Sequence, residues 1–223
     1  MLARLAAHGG GVAAALNDVA SDVRPRLLDG RLLRFVSQAA LPSGMAYEAF
    51  IAAEAAVPTR DNWHDFFNGL IWLRWPHIKA QFNALHQQGL AQAGIPQGQR
   101  GALRDALTLL DENGALLDAP APLLDALRER DWQQLFVELR PLWARARWQI
   151  VGHALLEKLM QARKPICAHL LLGPAVELDA STLAAKPFHP LPVLGVPGWW
   201  PGQDEAFYAD AQVFRTKRVL QTV

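Results

Sequence analysis

Apolar residues in the N-terminal part of the chain recur at the three- and four-residue spacing of amphipathic helices. This spacing predicts helices over 11–22, 26–39, 47–56, 61–74 and 77–92. Breaks at 42–44 and 58–59 separate these segments, because proline and glycine interrupt regular helices. Pro76 suits the first turn of the last helix, where a missing backbone N–H costs nothing. We therefore expect this part of the protein to be mainly helical.

The middle of the chain has a different pattern, in which two apolar runs flank a short polar stretch. The sequence ALTLLDENGALLD contains Asn113 and Gly114, which tolerate the positive φ of a tight turn. We therefore predict a β-hairpin over 105–118 with a four-residue loop, and a further strand over 166–172. Helical spacing returns over 122–129, 131–140 and 142–162.

The C-terminal residues 186–223 contain the proline-rich sequence HPLPVLGVPGWWPGQ. Proline excludes regular helix and central strands, so this segment is predicted to be an extended Pro/Trp-rich arm. The arm should pack on the body, since Trp199 and Trp200 need burial. The predicted fold class is α+β: a mainly helical single domain with a small antiparallel sheet, formed by the 105–118 hairpin and the 166–172 strand.

Composition and charge narrow the class of protein. The 223 residues are 51% apolar and 19% charged, which is enough apolar surface for a packed core. The net charge is +1 and no basic run is present, so no nucleic-acid partner is indicated. No run of about 20 apolar residues occurs, so no membrane span is expected. The single cysteine, Cys167, fits a reducing compartment, and we expect a cytoplasmic protein.

A polar stripe in the sequence DNWHDFFNGLIWLRW contains the first candidate chemistry. Asp61, His64, Asp65 and Asn68 fall within one arc of about 100° on a helical wheel, and Trp72 continues it. The opposite side of this helix is aromatic and aliphatic, which indicates a helix buried on both sides. Buried polar groups need partners, so the stripe is expected to face another element or a cleft.

Two interpretations of this stripe are open. In the functional one, His64 is a general base or metal ligand, Asp65 is a ligand or orients a histidine, and Asn68 positions the substrate. In the structural one, Asp61 or Asn62 caps the helix, Asp65 stabilises its positive end, and His64 is an ordinary structural histidine.

Two further pairs of residues are candidates for chemistry. His153 and Glu157 lie four residues apart in GHALLEKL, so both face one side of a helix and could ligate a metal. The alternative is a simple hydrogen bond between them. Arg104 and Asp105 lie at the start of the predicted hairpin. Asp105 precedes a strand, where turn chemistry does not require an aspartate, so it is a candidate functional carboxylate. No serine nucleophile elbow, P-loop or dinucleotide fingerprint is present.

Other polar groups are interpreted as structural. Asp111 and Glu112 are paired carboxylates that could act as acid and base or as cation ligands, but Asp-Glu-Asn-Gly is ordinary turn chemistry and we favour that interpretation. Lys79, Asn83 and His86 share one side of the predicted helix 77–92, and we interpret that side as a solvated face.

The most distinctive stretches are long and rich in aromatic residues. They are YEAFI at 47–51, TRDNWHDFFNGLIWLRWPHIKAQFNALH at 59–86, RDALTLLDENGAL at 104–116, GHALLEKL at 152–159, LPVLGVPGWWP at 191–201 and FYADAQVFR at 207–215. In these stretches the chain resembles a bacterial family known as domain of unknown function 3025. The resemblance covers most of the chain after residue 32 and implies a single bacterial domain. It implies no reaction, cofactor or catalytic residue.

Our first functional hypothesis is a metal-assisted hydrolase that acts on a small or phosphorylated substrate. A divalent metal ion is the candidate cofactor, and its bound water would be the nucleophile. The candidate metal ligands are His64, Asp65, His153 and Glu157. The candidate catalytic residues are His64, Asp65, Asn68, Arg104 and Asp105, with Asn68 orienting the substrate and Arg104 holding an anion. Trp72, Trp199 and Trp200 are the candidate substrate-binding residues.

The second hypothesis is a non-catalytic ligand-binding or protein-interaction module. Tryptophan is enriched at binding hot spots, so the aromatic arm would be its contact surface. The polar stripe would then be a buried hydrogen-bond network. The hypotheses differ in one geometric requirement, since only the hydrolase needs His64 and His153 in one metal shell beside a pocket that reaches solvent.

Overall fold

The computed structural model describes residues 10–91, 101–173 and 178–217. The helices in these ranges are α1 (Gly11–Val23), α2 (Tyr47–Glu54), α3 (Trp63–Arg74), α4 (Pro76–Ala91), α5 (Ala102–Asn113), α6 (Ala121–Glu129), α7 (His153–Leu159), α8 (Ala180–Ala184) and α9 (Glu205–Tyr208). The strands are β1 (Arg34–Ser37), β2 (Ala56–Thr59), β3 (Gly114–Asp118), β4 (Arg147–Ile150), β5 (Cys167–Leu172) and β6 (His189–Pro192). The predicted α+β class and the strand near 166–172 are confirmed. The assignment of the whole chain to one domain stays a prediction, and residues 218–223 of the arm lie outside the described residues.

The strands form two sheets, and both contain parallel pairs. In the larger sheet the order is β4-β3-β5-β6, with β3 parallel to β5 and the two outer strands antiparallel to their neighbours. The smaller sheet pairs β1 with β2 in parallel. The prediction of a purely antiparallel sheet was therefore wrong, because a helical crossover returns β5 alongside β3.

The predicted hairpin over 105–118 was also wrong. Residues 105–113 belong to α5, and only 114–118 form a strand. The buried residues of α5 are Leu103, Ala106, Leu107 and Leu110, which is helical spacing. Burial of that face against the neighbouring helices outweighs the turn propensity of Asn113 and Gly114, which instead mark the end of the helix.

Other predicted helices were wrong because pairing partners lie far away in sequence. Residues 34–37 form β1, held beside α1 because Asn17 Oδ1 accepts from Phe35 N and Asn17 Nδ2 donates to Phe35 O. The predicted helix 142–162 is divided into a 3-10 turn, β4 and α7. The predicted helix 131–140 contains a π-helical turn, Gln134–Glu138, followed by a 3-10 turn.

Three clusters of buried apolar side chains hold the elements together. One lies between α1, α3 and the small sheet, and includes Leu16 and Trp72. The second lies between α4, α5 and α8. The third, around Phe136, packs β3 and β5 against α6 and the C-terminal segment. Helix α3 crosses α7, which in turn packs on α5, so polar residues on three helices meet where these clusters adjoin.

The C-terminal segment adds the edge strand β6 to the larger sheet. Pro190 and Pro192 lie on this strand, as expected for an edge that needs few donors. Beyond it, Trp200 is half-buried against the third cluster, whereas Trp199 is 37% exposed and its ring lies 5.2 Å from that of Trp148. The expectation that both tryptophans are buried was therefore wrong for Trp199.

Within the described ranges, no helix combines the length and the apolar character needed to cross a bilayer.

Candidate metal centre

The first turn of α3 is positioned by its capping residues. Asn62 Oδ1 accepts a hydrogen bond from Asp65 N at 2.8 Å and caps the helix, as the structural interpretation predicted. Asp61 has a different role, because its carboxylate accepts from Val12 N at 2.7 Å and ties α3 to α1. These contacts fix the orientation of His64, which is half-buried and points towards α7.

The start of α7 is held unusually close to the end of α5. Val151 N and Gly152 N both donate to Gly114 O, at 3.1 and 2.8 Å. A Cβ atom at Gly152 would lie 2.5 Å from Gly114 N and 2.7 Å from Asn113, so only glycine fits. This approach brings the buried His153 against the acidic residues at the end of α5.

Three side chains from α3, α5 and α7 converge on one point. His64 Nε2 and His153 Nε2 lie 2.9 Å apart, and His153 Nε2 lies 3.8 Å from Glu112 Oε1. The ligand atoms of His64, Glu112 and His153 all fall within 4.8 Å of one another. Two imidazoles and one carboxylate are a donor set that binds zinc, iron and related divalent ions.

Each histidine has a carboxylate behind it. His64 Nδ1 lies 3.0 Å from Glu157 Oε2, and His153 Nδ1 lies 3.7 Å from Asp111 Oδ2. The two Nε2 atoms therefore face each other while both Nδ1 atoms face acids. Metal-ligating histidines commonly donate their second N–H to a carboxylate, which fixes the tautomer and the ring orientation. The contact between His64 and Glu157 has this geometry, whereas 3.7 Å between His153 and Asp111 is longer than a hydrogen bond.

The hydrogen positions that this geometry allows leave one nitrogen without a partner. Glu157 can only accept, so Nδ1 of His64 carries a hydrogen. Without a cation, a single hydrogen lies between the two Nε2 atoms, because two N–H groups would collide there. His153 Nδ1 is buried and has no hydrogen-bond partner among the described residues in either case.

Burial keeps His153 in its neutral, metal-binding form against the opposite effect of Asp111. Burial lowers the pKa of His153 to about 4, so the ring is neutral at neutral pH and its nitrogens can act as ligands. Burial alone would raise the pKa of Asp111, but Lys79 and His153 together hold it below its ordinary value. Asp111 is thus a permanent anion beside the ring.

A hydrogen-bond network leads away from Asp111 and ends at a tyrosine. Lys79 is buried, forms an ion pair with Asp111, and donates to Asn68 Oδ1 at 2.9 Å. An ammonium group can only donate, so this contact fixes the Asn68 amide with its Nδ2 towards Tyr47 OH, at 2.9 Å. Burial raises the pKa of Tyr47 well above 10, so its hydroxyl keeps its hydrogen.

A cavity of about 380 Å³ opens beside the three converging residues. Its walls come from α2, α3, α4, α5 and the start of α7. The residues lining it are Ala46, Tyr47, Glu48, Arg60, His64, Asp65, Asn68, His86, Leu90, Arg104, Thr108, Asp111, Glu112 and His153. The cavity is thus polar, contains both signs of charge, and reaches the point between the histidines.

A family profile matches the chain over residues 33–177 and 172–218, which includes His64, Glu112 and His153. The chain belongs to this family, Protein of unknown function (DUF3025). The resemblance seen in the sequence is confirmed, while a bacterial origin stays a prediction. Neither a curated protein nor a solved structure matches this DUF3025 chain.

The structure brings together most of the polar residues that the DUF3025 sequence indicated. His64, Asp65, Asn68, Arg104 and His153 all line the cavity. The requirement that the two histidines meet is fulfilled. Their functional roles stay predictions.

Asp65 and Glu157 lie close to the histidines but outside the group of three converging ligand atoms. The Asp65 carboxylate accepts three hydrogen bonds from Arg60, at 2.6, 3.0 and 2.8 Å, and those bonds occupy both of its oxygens. Burial favours a raised pKa for Asp65, but the Arg60 contacts keep it below the ordinary value. Glu157 contacts Nδ1 of His64, so it is placed to orient that ring rather than to join the ligand atoms.

The remaining predicted residues lie away from the cavity. Asp105 does not line the cavity, and its carboxylate lies 3.5 Å from Lys186 Nζ. Trp72 is buried in the cluster beneath α3. Among the described residues, Trp199 and Trp200 do not line this cavity either. The alternative role of the aromatic arm in binding a partner stays a prediction.

Sequence reasoning missed several DUF3025 site residues. Asp111 and Glu112 were interpreted as turn residues, but they occupy the last turn of α5. Lys79 and Asn83 were interpreted as a solvated face and are 3% and 4% exposed. Tyr47 gave no signal by itself.

Proposed function

We propose that this protein is a metal-assisted hydrolase of a small or phosphorylated substrate, with a divalent ion held by His64, His153 and Glu112. One observation carries the proposal: both histidines turn Nε2 towards the same point and place Nδ1 beside a carboxylate. A simple pair of structural histidines does not need a carboxylate behind each ring. A pair of metal ligands does, because the second shell orients the first.

The bound ion would activate water and would need no separate base. Three protein ligands leave a coordination position open, and the adjoining cavity gives water and substrate access to it. Such an ion would lower the pKa of its bound water towards neutrality, so it would supply a hydroxide nucleophile for hydrolysis and would leave the proton of that water to solvent.

Tyr47 is placed to assist at the reacting oxygen. Its oxygen accepts from Asn68 Nδ2 at 2.9 Å, and its own hydrogen stays on the oxygen because burial raises the pKa of Tyr47. Tyr47 lines the cavity, so that hydrogen is available to a substrate oxygen on which negative charge develops. Asn68 would act through Tyr47 as a positioning residue, and Lys79 holds Asn68 in turn.

The first test is the metal content of protein purified without a histidine tag, measured by elemental mass spectrometry. We expect close to one zinc, manganese or iron ion per chain, lost in His153→Ala and strongly reduced in Glu112→Gln. The matched control is His77→Ala, which removes an exposed histidine of α4 outside the cavity. Full metal retention in His153→Ala would contradict the ligand assignment.

The second test is turnover by the metal-loaded protein on p-nitrophenyl phosphate and p-nitrophenyl acetate. We expect chelator-sensitive hydrolysis of at least one of them. Tyr47→Phe should lower kcat about 10- to 1,000-fold while metal content is retained, as for loss of one donor to a developing oxyanion. Activity that survives complete metal removal would refute a metal-assisted mechanism.

A further inference from the structure

We propose that the end of the cavity at Arg104 is an oxyanion subsite, which binds a phosphate or carboxylate group of the substrate. The inference rests on the proposed function for the reaction itself, and it assigns the substrate class: a small molecule with an anionic group separate from the bond that is cleaved.

Arg104 differs from Arg60, the other arginine that lines the cavity, and from the neighbouring Lys79 in lacking an acidic partner. Arg60 pairs with Asp65, and Lys79 pairs with Asp111. In the part of the chain that the structure describes, no carboxylate lies within ion-pair distance of Arg104, and its buried Nε has no hydrogen-bond partner. A buried donor without an acceptor destabilises the protein, and a ligand oxygen that accepted from it would remove that cost.

The side chain of Arg104 is held in the cavity wall by its stem. A Cβ atom at Gly89 on α4 would lie 3.1 Å from Arg104 Cγ, so the absence of a side chain there makes room for the arginine. Thr108, one turn further along α5, also lines the cavity, and its hydroxyl donates to Arg104 O. The guanidinium therefore sits in a prepared position and not on a free surface.

The helix sets the distance between the two ends of the cavity. Arg104 and Glu112 lie eight positions apart on α5, which corresponds to about 12 Å along the helix axis at about 1.5 Å per residue. Both line the same cavity. A guanidinium presents parallel N–H donors that match the oxygen pair of a carboxylate or phosphate. A substrate that reaches from the metal to Arg104 would be oriented by its anionic end.

The test is calorimetric titration of chelator-treated, metal-free protein with inorganic phosphate and, separately, with acetate. Removal of the metal prevents either anion from binding through the ion instead of the subsite. We expect at least one of the two anions to bind. Its affinity should fall tenfold or more in Arg104→Met. It should fall less in Arg104→Lys, which keeps the positive charge but lacks the parallel N–H donors of the guanidinium. The control is Arg128→Met, which removes an exposed arginine paired with Asp125.

The outcomes separate this inference from the proposed function. Equal anion affinity in wild type and Arg104→Met, or no binding of either anion, would overturn the subsite even if one metal ion per chain is found. If the protein holds no metal as purified but binds an anion through Arg104, the subsite is supported and the metal-assisted hydrolase is refuted. Stronger binding of phosphate than of acetate assigns a phosphorylated substrate, and the reverse order assigns a carboxylate.

Discussion

At the scale of single residues, the site depends on which nitrogen of each histidine faces the shared point. His64 and His153 direct Nε2 inward because Glu157 and Asp111 occupy the space beside Nδ1. Neither acid is among the converging ligand atoms, yet Glu157 sets the tautomer of His64 that leaves its Nε2 free to bind a cation, and Asp111 places a negative charge beside the His153 ring. Substitution of either acid should therefore change metal affinity, as substitution of a ligand would.

Replacement of Glu157 by glutamine should weaken metal binding about 10- to 100-fold while the fold is retained. The amide still fills the space but no longer holds the His64 ring with a negative charge. The measurement is zinc affinity by competition with a chromogenic chelator. Glu129→Gln is the control, because Glu129 is an exposed acid paired with Lys217. Unchanged zinc affinity in Glu157→Gln would contradict a role of Glu157 in metal binding.

Lys79 is the residue whose loss should most damage stability. It is buried, and it neutralises Asp111 and orients Asn68. Lys79→Met leaves a mostly buried carboxylate without its cation, which costs about 3–5 kcal/mol. Urea unfolding should show this loss, whereas Lys186→Met, which removes a half-exposed pair with Asp105, should change the free energy of unfolding by less than about 1 kcal/mol.

Equal stability of Lys79→Met and wild type would mean that Asp111 is readily protonated or solvated when unpaired. In that case its proposed role behind His153 would lose its electrostatic basis.

At the scale of elements, the site is made where three helices meet. Helix α3 supplies His64, α7 supplies His153 and Glu157, and the last turn of α5 supplies Asp111 and Glu112. At the contact between α5 and α7, Gly152 packs directly on the backbone at 113–114. That approach decides whether His153 reaches the acids of α5.

Replacement of Gly152 by alanine should therefore affect both stability and metal binding. The added methyl group collides with backbone atoms, which move less readily than side chains. We expect a loss of about 1–3 kcal/mol in the free energy of unfolding, as for other overpacked sites, and a measurable loss of metal affinity. Stability and metal affinity equal to wild type would show that the two helices separate freely.

At the scale of the whole molecule, a bound ion would link the N-terminal helices to the part of the chain built on the larger sheet. His64 lies on α3, which packs on α1, while His153 follows directly after β4. An ion that binds only the folded protein stabilises it by about 2.7 kcal/mol at a free concentration 100 times its Kd. The metal should therefore act as a cross-link between distant segments.

The expected result is a metal-dependent melting temperature. For a chain of this size, about 2.7 kcal/mol corresponds to a rise in Tm of about 5–11 °C. Differential scanning calorimetry with zinc and with chelator measures it. His153→Ala should abolish the difference and His77→Ala should preserve it. A Tm that is the same in zinc and in chelator for the wild-type protein would contradict a stabilising metal site.

The sequence by itself determined the segments with strong local patterns. The helices α1, α3 and α4, the strand β5 and the polar stripe of His64, Asp65 and Asn68 all follow from periodicity, which is a property of neighbouring residues. These elements form because apolar residues at regular spacing bury one face, and that spacing can be recognised within a single segment of the sequence. It also selected His64, His153 and Glu157 as candidate residues, although only the structure shows that the two histidines meet and that Glu157 contacts His64.

Only the tertiary structure decided the rest. The final turn of α5 looked like a hairpin loop because Asp-Glu-Asn-Gly has turn propensity, and burial of the α5 face by distant residues overrode it. Lys79 looked solvated until its partner Asp111, 32 positions away, was in place. Ligand sets and buried ion pairs join residues remote in sequence, and their free energy arises only when packing brings those residues together and excludes water.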